Sequence, residues 1–117
     1  MQYLLMIYAA EGTGPAAGSP EEMEMIGEYT ELTNEMEAAG VFLGGEPLEP
    51  PNTATTVRVR DGKTDITDGP FAETKEVLGG YYLLDCKDLD EALAYAARIP
   101  SVRYGSVEVR PVMKLPG

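Results

Sequence analysis

Residues 76–99 read EVLGGYYLLDCKDLDEALAYAARI, and two periodicities meet inside them. Glu76–Cys86 holds the apolar run Tyr81-Tyr82-Leu83-Leu84, the composition of a buried strand. From Leu89 the spacing turns helical: Leu89, Ala92, Leu93, Ala96 and Ile99 share one face. Asp88 supplies an N-cap, and Glu91 three residues on is its capping-box partner. Pro100 cannot continue a helix, so the element ends there. A further strand follows over Gly105–Met113, with Val107 and Val109 opposed to Glu108 and Arg110.

The chain opens on a similar unit. Gln2–Tyr8 is apolar on both faces, which suits a central strand. Ala10–Ser19 is rich in Gly, Ala and Pro and reads as a loop. Ser19-Pro20-Glu21-Glu22 starts a helix, with Ser as N-cap, Pro at the first helical position and acids at the positive dipole end. Met25, Tyr29, Leu32 and Met36 form its apolar face, and Gly40 stops it. Val41–Leu48 is a strand loosened by Gly44 and Gly45 and ended by Pro47, Pro50 and Pro51. Thr53–Arg60 alternates as a strand, Asp61-Gly62 is a hairpin turn, and Thr64–Thr67 a short return. Asp68-Gly69-Pro70-Phe71 is a second turn. The order is β-α-β-β-α-β, with an extra β-ribbon between the third and fourth main strands. That is the ferredoxin-like α+β pattern, an antiparallel sheet with both helices on one face. The other face, rich in Tyr and Val, would exceed the apolar patch a monomer tolerates. The pattern therefore predicts a homodimer packed through its sheet faces, a dimeric α+β barrel.

A length of 117 residues suits one domain over 1–117. There are 20 Asp+Glu against 9 Lys+Arg, a net charge of −11, and no histidine or tryptophan. Without histidine there is no Ser-His-Asp or Cys-His nucleophile system, no histidine base and no His-containing metal site. The negative charge argues against nucleic acid as a partner. Residues 1–57 carry ten acids and no bases; residues 58–117 carry ten acids and nine bases. Glu24, Glu28, Glu31 and Glu35 form a stripe on the flank of the first helix, a solvated surface that a basic protein partner would fit. Cys86 is alone and reads as a small buried hydrophobe. No apolar run approaches a membrane span and no basic region opens the chain, so neither a membrane nor a signal peptide is expected and the location reads as cytoplasmic.

Two readings compete for the segment after Thr67. In one, Asp68 bonds backbone amides, Gly69 takes a positive φ, Pro70 fixes φ and Phe71 plugs the core. In the other, Glu73, Lys75 and Glu76 place three charges in four positions beside Gly79-Gly80, where Lys75 is an anion-binding point. Arg58 and Arg60 are further concentrated cations, and Glu108 is the expected partner of Arg58. The sharper expectation is a cleft where Arg58, Asp68 and Lys75 meet a small, anionic organic ligand, lined by Tyr8, Tyr81 and Tyr82. Against it stand a solvated charge cluster and core aromatics. Asp68 and Lys75 are the weak catalytic candidates; whether the chain is an enzyme stays open. No phosphate loop, dinucleotide fingerprint or metal-ligand spacing occurs, so no cofactor or metal is expected.

Thr67-Asp68-Gly69-Pro70-Phe71-Ala72-Glu73-Thr74-Lys75-Glu76, followed by Gly79-Gly80-Tyr81-Tyr82, resembles the DGPF motif of YCII-related proteins. Tyr3–Tyr8, Asp90-Glu91-Ala92-Leu93 and Gly105–Val112 look like that family too, so the resemblance covers nearly the whole chain. It implies the dimeric ferredoxin-like fold and a bacterial setting. It also implies, for some members, a link to extracytoplasmic-function sigma factors, and hence a regulatory, non-catalytic alternative. A His–Asp dyad proposed within the broader group cannot be carried over to a chain without histidine.

Overall fold

The computed structural model describes residues 1–116. In chain order they form β1 (Gln2–Ala10), α1 (Pro20–Ala38), β2 (Phe42–Pro47), β3 (Thr55–Arg60), β4 (Lys63–Asp68), β5 (Glu76–Asp85), α2 (Leu89–Ala96) and β6 (Ser106–Pro111). Short 3-10 turns lie at Pro51–Thr53 and Pro100–Arg103. The main sheet runs β2-β5-β1-β6, antiparallel throughout, with β1 central as its two-sided apolar composition requires. This α+β arrangement is compatible with the ferredoxin-like fold. No helix among the described residues is long and apolar enough to cross a membrane.

Alternation along β1 decides what is buried. Tyr3, Leu5 and Ile7 join Tyr82 and Leu84 of β5, Leu32 and Met36 of α1, and Ala92 and Ala96 of α2 in one core. Both helices thus cover the same face. Leu4, Met6 and Tyr8 point the other way; Leu4 lies opposite Leu83 and Met6 opposite Tyr81, on a face neither helix covers. Cys86 is a core residue, as its sequence setting suggests.

Local signals hold where they are local. Ser19 Oγ accepts from the Glu22 N–H at 3.1 Å, and the Glu22 carboxylate accepts from the Gly18 N–H at 2.9 Å. At the other end Gly40 takes φ +75°, letting the Val41 N–H reach Met36 O and the Gly40 N–H reach Glu37 O. This closes the helix with a left-handed glycine cap. Asp88 caps α2 by accepting from the Glu91 N–H at 2.9 Å, while the Glu91 carboxylate accepts from the Lys87 N–H.

Other expectations need correction. The ribbon β3–β4 lies between the second and third strands of the main sheet, β2 and β5, not between the third and fourth. It forms a separate two-stranded sheet, turned by Asp61 (φ 51°) and Gly62 (φ 76°), the positive pair of a type I′ turn. β3 begins at Thr55 because Pro51–Thr53 coils first into a 3-10 turn. α2 ends at Ala96, before the proline, which opens a 3-10 turn of its own. Leu89 and Leu93 stay exposed, because Ala92, Ala96 and Ile99 fill the space beneath the helix. Phe71 does not plug the core; it is 79% exposed beyond the end of β4. Gly69, at φ 100°, turns the chain back so that its N–H reaches Ala54 O and its carbonyl accepts from Thr56, which directs Phe71 outward.

Candidate functional site

A groove of about 720 Å³ opens between α1 and the sheet. Its helix wall carries Met25, Ile26, Tyr29, Thr30 and Thr33, successive turns of one flank of α1. Its sheet wall carries Ile7, Phe42, Val77 and Tyr82. The loop after β1 and the proline-rich segment after β2 form the rims. Gly45 shapes the floor: a Cβ there would stand 2.7 Å from the Tyr82 ring and 2.8 Å from Tyr81 O. Gly14, at φ +80°, lets the first rim lie against the Tyr104 ring, where a Cβ would come within 2.7 Å. Gly80 meets the Glu46 backbone. The close approach that the Gly44-Gly45 and Gly79-Gly80 pairs permit is therefore used, at Gly45 and Gly80, by neighbouring strands and rings.

Hydroxyls from distant parts of the chain converge on this floor. The Tyr29 and Ser101 hydroxyls are 2.6 Å apart, Ser101 and Tyr104 3.3 Å, and Thr33 and Tyr82 2.9 Å. Ser101 is a buried polar residue held by the 3-10 turn, whose carbonyl accepts from the Gly105 N–H at 2.8 Å. Burial raises the Tyr29 pKa above its usual 10.0, against the lowering effect of its hydrogen bonds to Ser101. The phenol therefore stays protonated near neutrality and can orient a polar group without becoming an anion. Four carboxylates border the groove, Glu11, Glu22, Glu46 and Glu49, and among the described residues no lysine or arginine does.

The residues singled out in the sequence lie elsewhere. Tyr81 borders the groove, but its pairing with Met6 sends its side chain to the bare face of the sheet, which Tyr8 shares. Glu76 sits opposite Ala10 and accepts from the Ser106 hydroxyl at 2.9 Å. Asp68 ends β4, across from Thr55. Glu73 and Lys75 are exposed between β4 and β5. Arg58 donates to Phe71 O at 3.3 Å rather than to Glu108, whose carboxylate is 3.7 Å from Arg110. The reason is topological: β3 is not in the same sheet as β6. Among the described residues no hydrogen bond or ion pair joins Arg58, Asp68, Glu73 and Lys75 to one another. On α1, Glu28 pairs with Arg103 at 2.7 Å and Glu35 with Arg98. The acidic stripe is thus half answered from within the chain. Thr33, Ser101 and Tyr104 carried no signal in the sequence, because contacts such as Tyr29–Ser101 span 72 positions.

The family model of the YCII-related domain matches residues 1–116. An uncharacterized protein of Rhizobium meliloti (strain 1021) is 37% identical over 114 residues, covering 96% of this chain and 92% of its own.

Proposed function

The chain belongs to the YCII-related family, and on that footing we propose that it binds a small organic ligand in the groove between α1 and the sheet. The observation that carries this reading is the groove's chemistry. Its volume of about 720 Å³ suits a small molecule. Apolar walls meet a floor of hydroxyls and a rim of four glutamates, with no counter-cation among the described residues. An apolar body with a neutral or cationic polar end fits such a site. An anion, the class expected from Arg58 and Lys75, would meet like charge there. Binding and orientation are what these groups support; no bond-making step is assigned to them.

The probes are octylamine, octanol and octanoate at matched concentrations, read by thermal shift. Octylamine and octanol should raise the melting temperature more than octanoate, since a ligand that binds only the folded state stabilises it by mass action. Ile26→Trp, a half-exposed position on the helix wall, should block the groove and remove the shift. A larger shift with octanoate, or a shift that survives Ile26→Trp, overturns the reading.

The proposal extends to assembly: the bare sheet face closes on a second copy of the chain. Leu4, Met6, Tyr81 and Leu83 lie together there with no helix over them, a contiguous apolar surface of the kind that marks an interface. Sedimentation that finds only monomer at micromolar concentration overturns this part.

A further inference from the structure

We infer that the ribbon β3–β4 is an arm that packs its Val57, Val59 and Ile66 face against a second copy of this chain. This rests on the dimer proposed above and adds an interface the sheet face does not contain. The register places Val57 opposite Ile66 and Val59 opposite Thr64, so the three apolar side chains share one face. They are 60%, 58% and 65% exposed. Arg58 opposite Asp65 occupies the other face.

A two-stranded ribbon is at best marginally stable alone. This one pairs with no strand of the main sheet, and the bonds of Gly69 to Ala54 and Thr56 close only its own base. A β-branched face built to be buried is left without cover.

The dimensions say how much cover is missing. The radius of gyration is 16.3 Å, where a compact chain of this length has roughly 13 Å. The accessible surface is 8175 Å², against roughly 6,200 Å² for a folded monomer of this size. The surplus of roughly 2,000 Å² exceeds the ~800 Å² that each partner gives to a standard interface. The extents of 47 × 46 × 19 Å describe a thin plate, with room for a second copy on its bare side.

Charge selects a second copy over a charged partner. Residues 55–75 carry four acids and four bases, so the whole −11 lies in the remainder. The arm is the segment through which two such anions can touch with least repulsion, and it has no net charge to attract a basic or acidic protein.

The test uses the full chain in sedimentation velocity, with three variants. Val57→Asp combined with Ile66→Asp charges the arm, Leu83→Lys charges the sheet face, and Val59→Cys places a thiol on the arm for maleimide. Cys86, 1% exposed, does not compete. The wild type should be a dimer, and the arm variant should dissociate about tenfold more readily or beyond. The thiol at 59 should be protected at high protein concentration and become reactive on dilution. A wild-type dimer matched by an equally tight arm variant overturns the arm while leaving the sheet-face dimer standing. A wild-type monomer overturns both. Protection at position 59 that does not change with dilution means the arm folds on its own chain, and reactivity at every concentration means nothing covers it; either result overturns the proposal.

Discussion

The thiol of Cys86 lies just beyond β5, and burial, reinforced by the neighbouring Glu91 carboxylate, raises its pKa from 9.0 to about 11. In the unfolded chain the same thiol ionises near its ordinary value. Below pH 9 both states keep the proton, so the full stability is present. As pH rises from 9 towards 11 the unfolded state loses its proton while the folded state holds it, and stability falls by about 1.4 kcal/mol per pH unit. Urea titrations should show a constant midpoint from neutrality to about pH 9 and a decline above it. Cys86→Ala, less stable at neutrality for the cavity it leaves, should lose the decline between 9 and 10; an unchanged alkaline limb would sink the assignment. Tyr29, also raised by burial, adds to the decline only above its ordinary 10.0. Burial of Cys86 was legible because it ends an apolar run. The outward turn of Phe71 was not, since Gly69 redirects the chain through contacts with Ala54, just before β3, and Thr56 within it.

At the scale of elements, α1 was legible because its determinants are local: the Ser19 cap, the Met25–Met36 face and the Gly40 stop all lie within the segment. Its acidic flank was legible as a pattern but not as an environment, since Arg98 and Arg103 reach Glu35 and Glu28 from 63 and 75 positions away. Both pairs are about half exposed, so each contributes only ~0–1 kcal/mol. Glu31 has no such partner among the described residues, and it lies three positions after Glu28 and four before Glu35. Like charges at these spacings destabilise a helix by roughly 0.2–0.5 kcal/mol per pair. Glu31→Lys turns repulsion into attraction and should raise stability by about 0.5–1 kcal/mol, read from the urea midpoint at low salt. A fall in stability would mean that Glu31 makes a favourable contact in solution. The sheet shows the complementary limit. Apolar runs, alternation and turn signals located the strands, but pairing partners are set by topology, which is why Arg58 faces Asp65 and not Glu108.

For the whole molecule, the β-α-β-β-α-β order and the bare face could be read from pattern, because strand and helix periods are local. The place of the ribbon in the order and the groove could not, because both depend on which strands share a sheet. The net charge of −11 acquires its consequence only at this scale. Two copies bring together twice that charge, and with Arg98 and Arg103 already engaged on the helix side few cations remain to offset it. Repulsion between the copies therefore opposes apolar association through the sheet face and the arm. Salt shortens the range of that repulsion from ~30 Å at 0.01 M to ~8 Å at 0.15 M and leaves apolar burial nearly unchanged. The dimer dissociation constant should accordingly fall severalfold over this range, measured by sedimentation at several protein concentrations. Were the contact held instead by ion pairs between copies, through Arg58 or Lys75, screening would weaken it, and the constant would rise with salt. The sign of that slope separates an apolar arm and sheet face from an electrostatic seam.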